Sequence, residues 1–528
     1  MSFLRLLLVP LSLTWWLSSA HAVPAYGSRG QGLQLNILML STPLSGNINP
    51  ALYLSKKLAS RGHNVTVLLG TEDKTAAKLK EKSAQYSAKF HHFESAVYND
   101  NQEIMDRMER DGLFYTLRNM TMTYSQELLQ TMNGSAMTET YDVVIGDDVL
   151  VPSLLCIKSR WNIPTIFMGS SMTVYINEHP PWAWPGMALA YSSDNLSFSE
   201  RMMSFVETVF IKRFFDYYLL SPQLPMLRSY CPSLTVDELY NGAGIFLPHI
   251  VPTVIGFEFP KTLTPLTSYV GPIIPDNPPP LSQDTDLESW MTNRPDKSVI
   301  YLSMGSIFPL NKEEAKRLFE GVMKTNYSLL WALRKNNQEV LEGLDMDPQR
   351  VYISDWTPQF SVLASTIIHS AILHGGFNGL SEALWNGVPV IGFPQMVEQR
   401  QNVGRLYHQQ LGLRLDKETL SSDKVAEAVN CIDSGNYRSN VKKLQKMFKL
   451  AGGGDRAVEL IEFYGEEGYD HLIPAFAKYQ WSWVQYYNAD LWVLFVGGLG
   501  LVTFLVFKTL RYCVLKLCHR KLPKEKEQ

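Results

Sequence analysis

At 528 residues and 45 % hydrophobic content the chain is long enough for two globular domains plus further segments, and a net charge of −3 excludes the basic footprint of a nucleic-acid binder. The five cysteines, Cys156, Cys231, Cys431, Cys513 and Cys518, are widely spaced with no CxxC pair. That spacing excludes a metal cluster and a dense disulfide framework, and leaves room for one bridge among the first three.

Taken from the N-terminus, 1–22 carries a basic Arg5, a largely apolar run from Leu6 to Leu17 and a small-residue end at Ala20-His21-Ala22. This is the pattern of a cleaved signal peptide, so the mature chain is expected in the secretory lumen. The apolar run Leu35 to Leu40 then reads as a buried strand, and Pro50, with Asn49 before it in the capping position, marks the start of a helix. Pro43 to Asn49 is therefore a strand-to-helix loop. Leu52, Leu54 and Leu58 recur on the helix, Gly62 stops it, and Val65 to Leu69 restarts a strand. In such a βαβ unit a polar residue at the carboxyl end of the strand, here Asn47, stands where ligands collect, although a plain turn asparagine fits the position equally well.

The alternation continues in "YDVVIGDDVLVPSLLCIKSRWNIPTIFM", which reads as strand 141–146, helix 152–160 and strand 165–168. Repetition of the pattern implies a parallel sheet over a first domain, 23–272. The proline-rich stretch "VGPIIPDNPPPLSQDT" gives a linker at 273–297. A second α/β domain follows at 298–447, with strands at 298–304, 329–332, 350–353, 371–374 and 388–393. Two α/β domains on a linker leave a cleft, the usual place for a ligand.

Segments 448–490 are helical and lead toward a membrane, with Trp481, Trp483, Tyr486, Tyr487 and Trp492 marking the interface. The run 491–507 has no charge and, at ~1.5 Å per residue, just reaches across a bilayer core. Lys508, Arg511, Lys516, Arg520, Lys521, Lys524 and Lys526 follow it, so 508–528 is a cytosolic tail and the chain a single-pass type I membrane protein. Sequons at Asn64, Asn119, Asn133, Asn195 and Asn326 fit a lumenal body, and Asn64, opening a strand, is expected to be the least accessible. Phe214 and Phe215 read as core or as a second membrane-touching surface.

The segment "WTPQFSVLASTIIHSAILHGGFNGLSEALWNGVPVIGFPQMVEQRQN" carries the chemistry. A strand runs into His374, Gly375 and Gly376, and a helix begins near Asn378, which aims backbone N–H groups and the positive end of a helix at one spot suited to a diphosphate. Glu382 shares a helix face with Asn378 and suits ribose hydroxyls, and Trp356 suits stacking on a planar base.

In order and spacing this segment resembles the nucleotide-sugar box of the UDP-glycosyltransferases, in the form of the membrane-anchored enzymes of the endoplasmic reticulum that include the glucuronosyltransferases. The resemblance runs over nearly the whole chain. It implies a GT-B fold, with two Rossmann-like domains facing each other across a cleft and a C-terminal single-pass transmembrane helix. The UDP-sugar is then a co-substrate held by the C-terminal domain, no separate cofactor or metal is needed, and a small lipophilic acceptor sits on the N-terminal domain. Homo- and hetero-oligomers both stay open. By resemblance Trp356 and Gln359 meet uracil and ribose, Glu382 the ribose hydroxyls, His374, Gly376 and Asn378 the diphosphate, and Ser306 of "SMGS" the phosphates. Glu398 and Gln399 stand where the family contacts the sugar hydroxyls, with Glu in place of the usual Asp. The terminal "KEKEQ" resembles a dilysine retrieval signal of the endoplasmic reticulum.

Two departures concern the reaction. The family takes the acceptor proton with a His at the end of the first strand, oriented by an Asp on a later one. Here Asp147 matches the Asp, with Asp148 beside it, but the loop reads "GNINP" and places Asn47 at the base position. An amide is no general base. The acceptor is then a nucleophile needing little activation, or Asp147 or Asp148 takes the proton, or the protein binds a UDP-sugar without turnover and acts through a partner. His91 and His92 are further spatial substitutes, though adjacent histidines are more often surface residues. The second departure is Lys261 in "GFEFPKTLTP", where glucuronosyltransferases carry an Arg for the sugar carboxylate. Lysine keeps the charge without the bidentate fork, which leaves UDP-glucuronate and UDP-glucose both open.

Overall fold

The computed structural model describes residues 34–519 apart from 99–100, 135–138, 170–196, 207–209, 211–213, 215, 242–245, 260–262, 280, 282–284, 293, 306–309, 396, 475–482 and 487. The signal-peptide region 1–22, the terminal KEKEQ, Asn195, Phe215, Lys261, Ser306 and Trp481 lie outside them. From Leu35 onward the described residues form one unit that contains two parallel sheets.

The first sheet has seven strands in the order β3-β2-β1-β4-β5-β6-β7. These are β1 (Asn36–Leu40), β2 (Asn64–Gly70), β3 (Lys89–Phe93), β4 (Val143–Asp147), β5 (Thr165–Met168), β6 (His249–Val251) and β7 (Thr267–Tyr269). The second has six, β8 (Val299–Ser303), β9 (Ser328–Ala332), β10 (Val351–Ser354), β11 (Ile368–Leu373), β12 (Val390–Gly392) and β13 (Gly412–Arg414), in the order β10-β9-β8-β11-β12-β13. Strands buried on both faces, such as "VIYLS" in β8, need continuous apolar runs rather than alternation. In each sheet the strand order reverses at one point: β1 lies between β2 and β4, and β8 between β9 and β11. Ligands of open α/β sheets bind at such switch points.

Four helices border these switch points: α1 (Ser45–Ser60) after β1, α2 (Val151–Trp161) after β4, α3 (Phe377–Trp385) after β11 and α4 (Val397–His408) after β12. The first begins earlier than the proline signal predicts, so Asn47 lies in its first turn and Pro50 inside it. An internal proline cannot donate to the carbonyl four residues back, here Gly46, and that carbonyl instead accepts a hydrogen bond from Asn378 Nδ2 at 2.6 Å.

The segment after 448 also differs from its expected course. The helix α5 (Gly453–Glu467) returns to the first sheet and completes its core with Ala457, Val458, Ile461 and Tyr464. Lys57–Asp455, Arg61–Glu462 and His63–Glu462 contacts, each 3.0 Å, line its seam with α1 and the start of β2, and the Tyr469 hydroxyl donates to the Thr165 carbonyl at 3.1 Å. The apolar helix α6 (Ala489–His519) is longer than the 491–507 run, 31 residues, because helix geometry carries through the basic flank. Its side chains are exposed over the apolar stretch, and at ~1.5 Å per residue it exceeds a ~30 Å bilayer core.

Cys156 in α2 is bonded to Cys231, with Cα atoms 5.5 Å apart, and both cysteines are fully buried. Asn64 is exposed, contrary to the expectation from its strand position, and its Nδ2 donates to Asn36 Oδ1 at 3.0 Å. Asn326 and Asn133 are exposed too, the latter accepting from Arg160, while Asn119 is partly buried. His91 and His92 stand on the edge strand β3, two strands away from β1, which removes them from the switch point.

Candidate active site

A cavity of about 320 Å³ lies between the switch points of the two sheets. Asn47, Asn49, Pro50 and Tyr53 of α1 form one wall. The other is built from Met304 and Gly305 after β8, Gln359, His374, Gly376, Asn378 and Glu382 around α3, and Glu398 and Gln399 of α4. Eight residues singled out in the sequence thus line one cavity. Trp356, three residues before Gln359 in the chain, is not among the lining residues and is 64 % exposed.

On the first wall, Leu40 of β1 pairs with Gly146 of β4, so Asp147, the last residue of β4, meets the residues just beyond β1. Asp147 is 6 % exposed, and its Oδ2 accepts three hydrogen bonds: from the Thr42 N–H at 2.7 Å, the Thr42 hydroxyl at 3.1 Å and Asn47 Nδ2 at 3.1 Å. Asn47 Nδ2 also donates to Thr42 Oγ1 at 2.8 Å. Asp147 Oδ1 is buried without a hydrogen-bond partner among the described residues. Burial, with the neighbouring charge of Asp148, raises the Asp147 carboxyl to about 7 against the opposing pull of Thr42 and Asn47. Such a group exchanges a proton near neutral pH. Thr42 has no chemical signature in the sequence; its place, two residues beyond β1, is the only signal for it.

On the second wall, β11 leads through His374 into Gly375, whose φ of +88° favours glycine, and α3 begins with Gly376 as its cap. A Cβ on Gly376 would stand 2.4 Å from His374 Nε2, so glycine lets the helix end approach the imidazole. Burial lowers His374 to about 4, against the pull of the Ser303 backbone, and the ring is neutral at pH 7. The first-turn N–H groups of α3 face the same region, an electropositive end suited to an anion. Gln359 bridges two side chains: its Oε1 accepts from the buried Tyr301 hydroxyl at 3.2 Å and its Nε2 donates to Glu382 Oε2 at 2.7 Å. Burial raises Glu382 to about 7, with the Gln359 hydrogen bond opposing. Glu398 is likewise raised to about 7 by burial, opposed first by a hydrogen bond from Asn402. Gln399 Oε1 accepts from the Gln395 N–H at 2.9 Å.

This arrangement has counterparts among known proteins. A family model described as UDP-glucoronosyl and UDP-glucosyl transferase matches residues 36–524. UDP-glucuronosyltransferase 2B33 of Macaca mulatta is 24 % identical over 501 residues, covering 88 % of this chain and 90 % of that protein. UDP-glucuronosyltransferase 2B15 of Homo sapiens is 24 % identical over 528 residues, covering 93 % and 95 %. Among solved structures, the calicheamicin glycosyltransferase CalG4 superposes with a TM-score of 0.61 at 18 % identity over 83 % of this chain and all of its own. Os79 from O. sativa, solved in complex with UDP, superposes with a TM-score of 0.56 at 18 % identity over 81 % of this chain and all of its own. With two facing parallel sheets, a cleft at both switch points and a family match across most of its length, the chain has the GT-B fold and belongs to the UDP-glucoronosyl and UDP-glucosyl transferase family, as a UDP-glycosyltransferase.

Proposed function

We propose that the protein transfers a glucuronosyl or glucosyl group from a UDP-sugar to a small lipophilic acceptor, with inversion at the anomeric carbon, and that Asp147 takes up the acceptor's proton. The observation that carries the reading is the Asn47–Asp147 hydrogen bond of 3.1 Å. It keeps the geometry of a base-and-carboxylate pair with an amide in place of the base, while Asp147 itself is poised near 7. Asn47 is the positioning member, and its Oδ1 is the end of the amide that the described hydrogen bonds leave for an acceptor hydroxyl.

In the step, the acceptor heteroatom bonds to the anomeric carbon as the bond from that carbon to the UDP oxygen breaks. UDP leaves with the bonding electrons and the acceptor's proton passes to Asp147. The N-terminus of α3 and the His374–Asn378 turn offset the charge developing on the diphosphate, so we assign no metal or further cofactor to the step. Trp356, Gln359 and Glu382 are assigned to the uridine, Ser306 to the phosphates, Glu398 and Gln399 to the sugar, and Lys261 to a sugar carboxylate.

We also place the protein in the endoplasmic reticulum membrane, type I, with both domains lumenal. The exposed apolar helix α6 followed by basic residues supports the anchor, and the buried Cys156–Cys231 bridge fits an oxidising compartment. Asn326, exposed beside β9, is the leading glycan acceptor.

The test is transfer of radiolabelled UDP-glucuronate and UDP-glucose in microsomes to phenol, amine and carboxylic acid acceptors. Transfer that is lost in Asp147→Ala supports the reading. Measurable UDP binding without transfer to any acceptor class and without donor hydrolysis would overturn it in favour of a non-catalytic, partner-directed role.

A further inference from the structure

The face of α4 that presents Glu398 to the cavity continues inward as Asn402 and Arg405, spaced so that all three lie on one side of the helix. Asn402 is 2 % exposed. Its Nδ2 donates to Glu398 Oε1 at 2.7 Å and to the Gly375 carbonyl at 3.0 Å, and its Oδ1 accepts from Arg405 Nη1 at 2.9 Å. Arg405 is buried in turn against Glu258 as an ion pair, with Nε 3.2 Å from Oε2 but not aligned for a hydrogen bond. Glu258 belongs to the segment after β6 whose Val254 and Phe257 pack into the core of the second sheet, and the Phe257 carbonyl accepts from Gln409 at 2.6 Å. A continuous buried chain therefore runs from this segment of the first domain, through Arg405 and Asn402, to the carboxylate at the sugar end of the cleft.

Donor and acceptor chemistry gives this chain a direction. Arginine has only N–H donors, whereas the Glu398 carboxylate and the Gly375 carbonyl only accept. Between them the Asn402 amide has one orientation that satisfies every partner. Reversing it would set its oxygen against two acceptors and its NH₂ against a guanidinium, a loss that a site this buried does not recover from water.

We propose that Arg405 and Asn402 are positioning residues for donor-sugar recognition: Arg405, anchored by Glu258, locks the Asn402 amide, and Asn402 fixes the Glu398 carboxylate relative to the Gly375 turn. The sugar and diphosphate ends of the donor are thereby registered against each other by one side chain. The proposal rests on the assignment of Glu398 to the sugar. It also explains how a Glu, one methylene longer than the family's Asp, is held to a defined position, since the Asn402 hydrogen bond removes the added freedom.

Binding of UDP and of the intact UDP-sugar to the full-length protein in detergent tests it, because only the sugar nucleotide uses Glu398. In Asn402→Ala and Arg405→Gln, UDP-sugar affinity is expected to fall about tenfold or more and by several-fold more than UDP affinity, because the Gly375 contact bears on both ligands and the Glu398 contact only on the sugar nucleotide. Arg405→Lys, which keeps a charge beside Glu258 and an N–H for Asn402, is expected to recover part of the loss and supplies the same comparison if Arg405→Gln does not fold. Adding Asn402→Ala to Glu398→Ala should lower the preference for UDP-sugar over UDP no further than Glu398→Ala alone does. Parallel weakening of UDP and UDP-sugar, no weakening of either, or additive losses would overturn the relay while leaving the sugar assignment standing. Glu398→Ala with unchanged preference for UDP-sugar over UDP overturns the sugar assignment itself, and the proposal with it.

Discussion

The Asn47 amide donates to Asp147 Oδ2 across 3.1 Å, joining the first turn of α1 to the end of β4. A histidine in that place would meet the same carboxylate and add a group able to take a proton near neutral pH, which an amide cannot. Asn47→His is therefore expected to raise kcat/KM toward phenols and alcohols by at least about tenfold, since general-base assistance contributes ~10²–10⁴ and part of it already falls to Asp147. The measurement is initial-rate transfer to a phenol. An unchanged rate in Asn47→His, together with abolition in Asp147→Ala, would make Asp147 the sole base.

Three carboxylates around the cleft, Asp147, Glu382 and Glu398, are raised to about 7 chiefly by burial. In the roles proposed for them, each acts ionised, as a proton acceptor or as a hydrogen-bond acceptor for hydroxyls. The logarithm of kcat/KM should consequently climb with pH at a slope greater than one below about pH 6 and level off above about pH 8. Stability of the donor-free protein runs the other way. The folded state binds these protons more tightly than the unfolded chain, so their contribution is fully present below the ordinary carboxylate range and is lost as pH rises through 7. His374, lowered to about 4, opposes this only while the unfolded chain's histidine is protonated, up to about its ordinary 6.5. Between pH 6.5 and 8 the melting temperature should fall, and a melting curve that rises over that range would contradict the raised carboxylates.

The hydrogen bond from Asn378 to the Gly46 carbonyl gives a separate expectation about the cleft. Pro50 leaves that carbonyl without its helical donor, and Asn378 supplies one from the opposite wall. Asn378→Asp replaces the donor with a carboxylate facing both a carbonyl and the position assigned to a diphosphate. UDP affinity should drop by more than about thirtyfold, roughly 2 kcal/mol, whereas Asn378→Ala, which removes the bond without adding charge, should cost about 0.5–1.5 kcal/mol. Equal losses in the two variants, measured by UDP titration, would show that charge at this position does not matter.

Much of this site was legible because it depends on short-range signals. The glycine pair after β11, the helix start near Asn378 and the four-residue spacing to Glu382 are fixed by local chain geometry, and the cavity indeed collects them. The three-residue strands β6, β7 and β13 were not readable, being too short to show a period or to exclude a loop. The start of α1 is hidden for a different reason: Pro50 is an ordinary start signal, and the donor that satisfies the carbonyl it leaves free lies 332 positions away in sequence. Asn402 ends the segment that begins at Trp356, but nothing short of the three-dimensional placement of Arg405 and Gly375 reveals what its amide does.

The same limit applies to α5, whose amphipathic sequence tells that one face is buried but not against which domain. In the structure Ile461 is fully buried in the core of the first sheet, whereas Leu450, ahead of the turn at Gly452, is 89 % exposed. Ile461→Ala should therefore destabilise the purified protein by about 2–5 kcal/mol, the usual result of removing a buried aliphatic side chain that its surroundings do not refill. Leu450→Ala should stay within about 0.5 kcal/mol. Because α5 covers the face of the first sheet that also seats α1, loosening it should disturb Asn47 before it disturbs α3. Sublethal Ile461→Ala protein is thus expected to lose transfer activity at a lower denaturant concentration than it loses UDP binding. Coincident loss of the two would show that the two walls unfold as one unit.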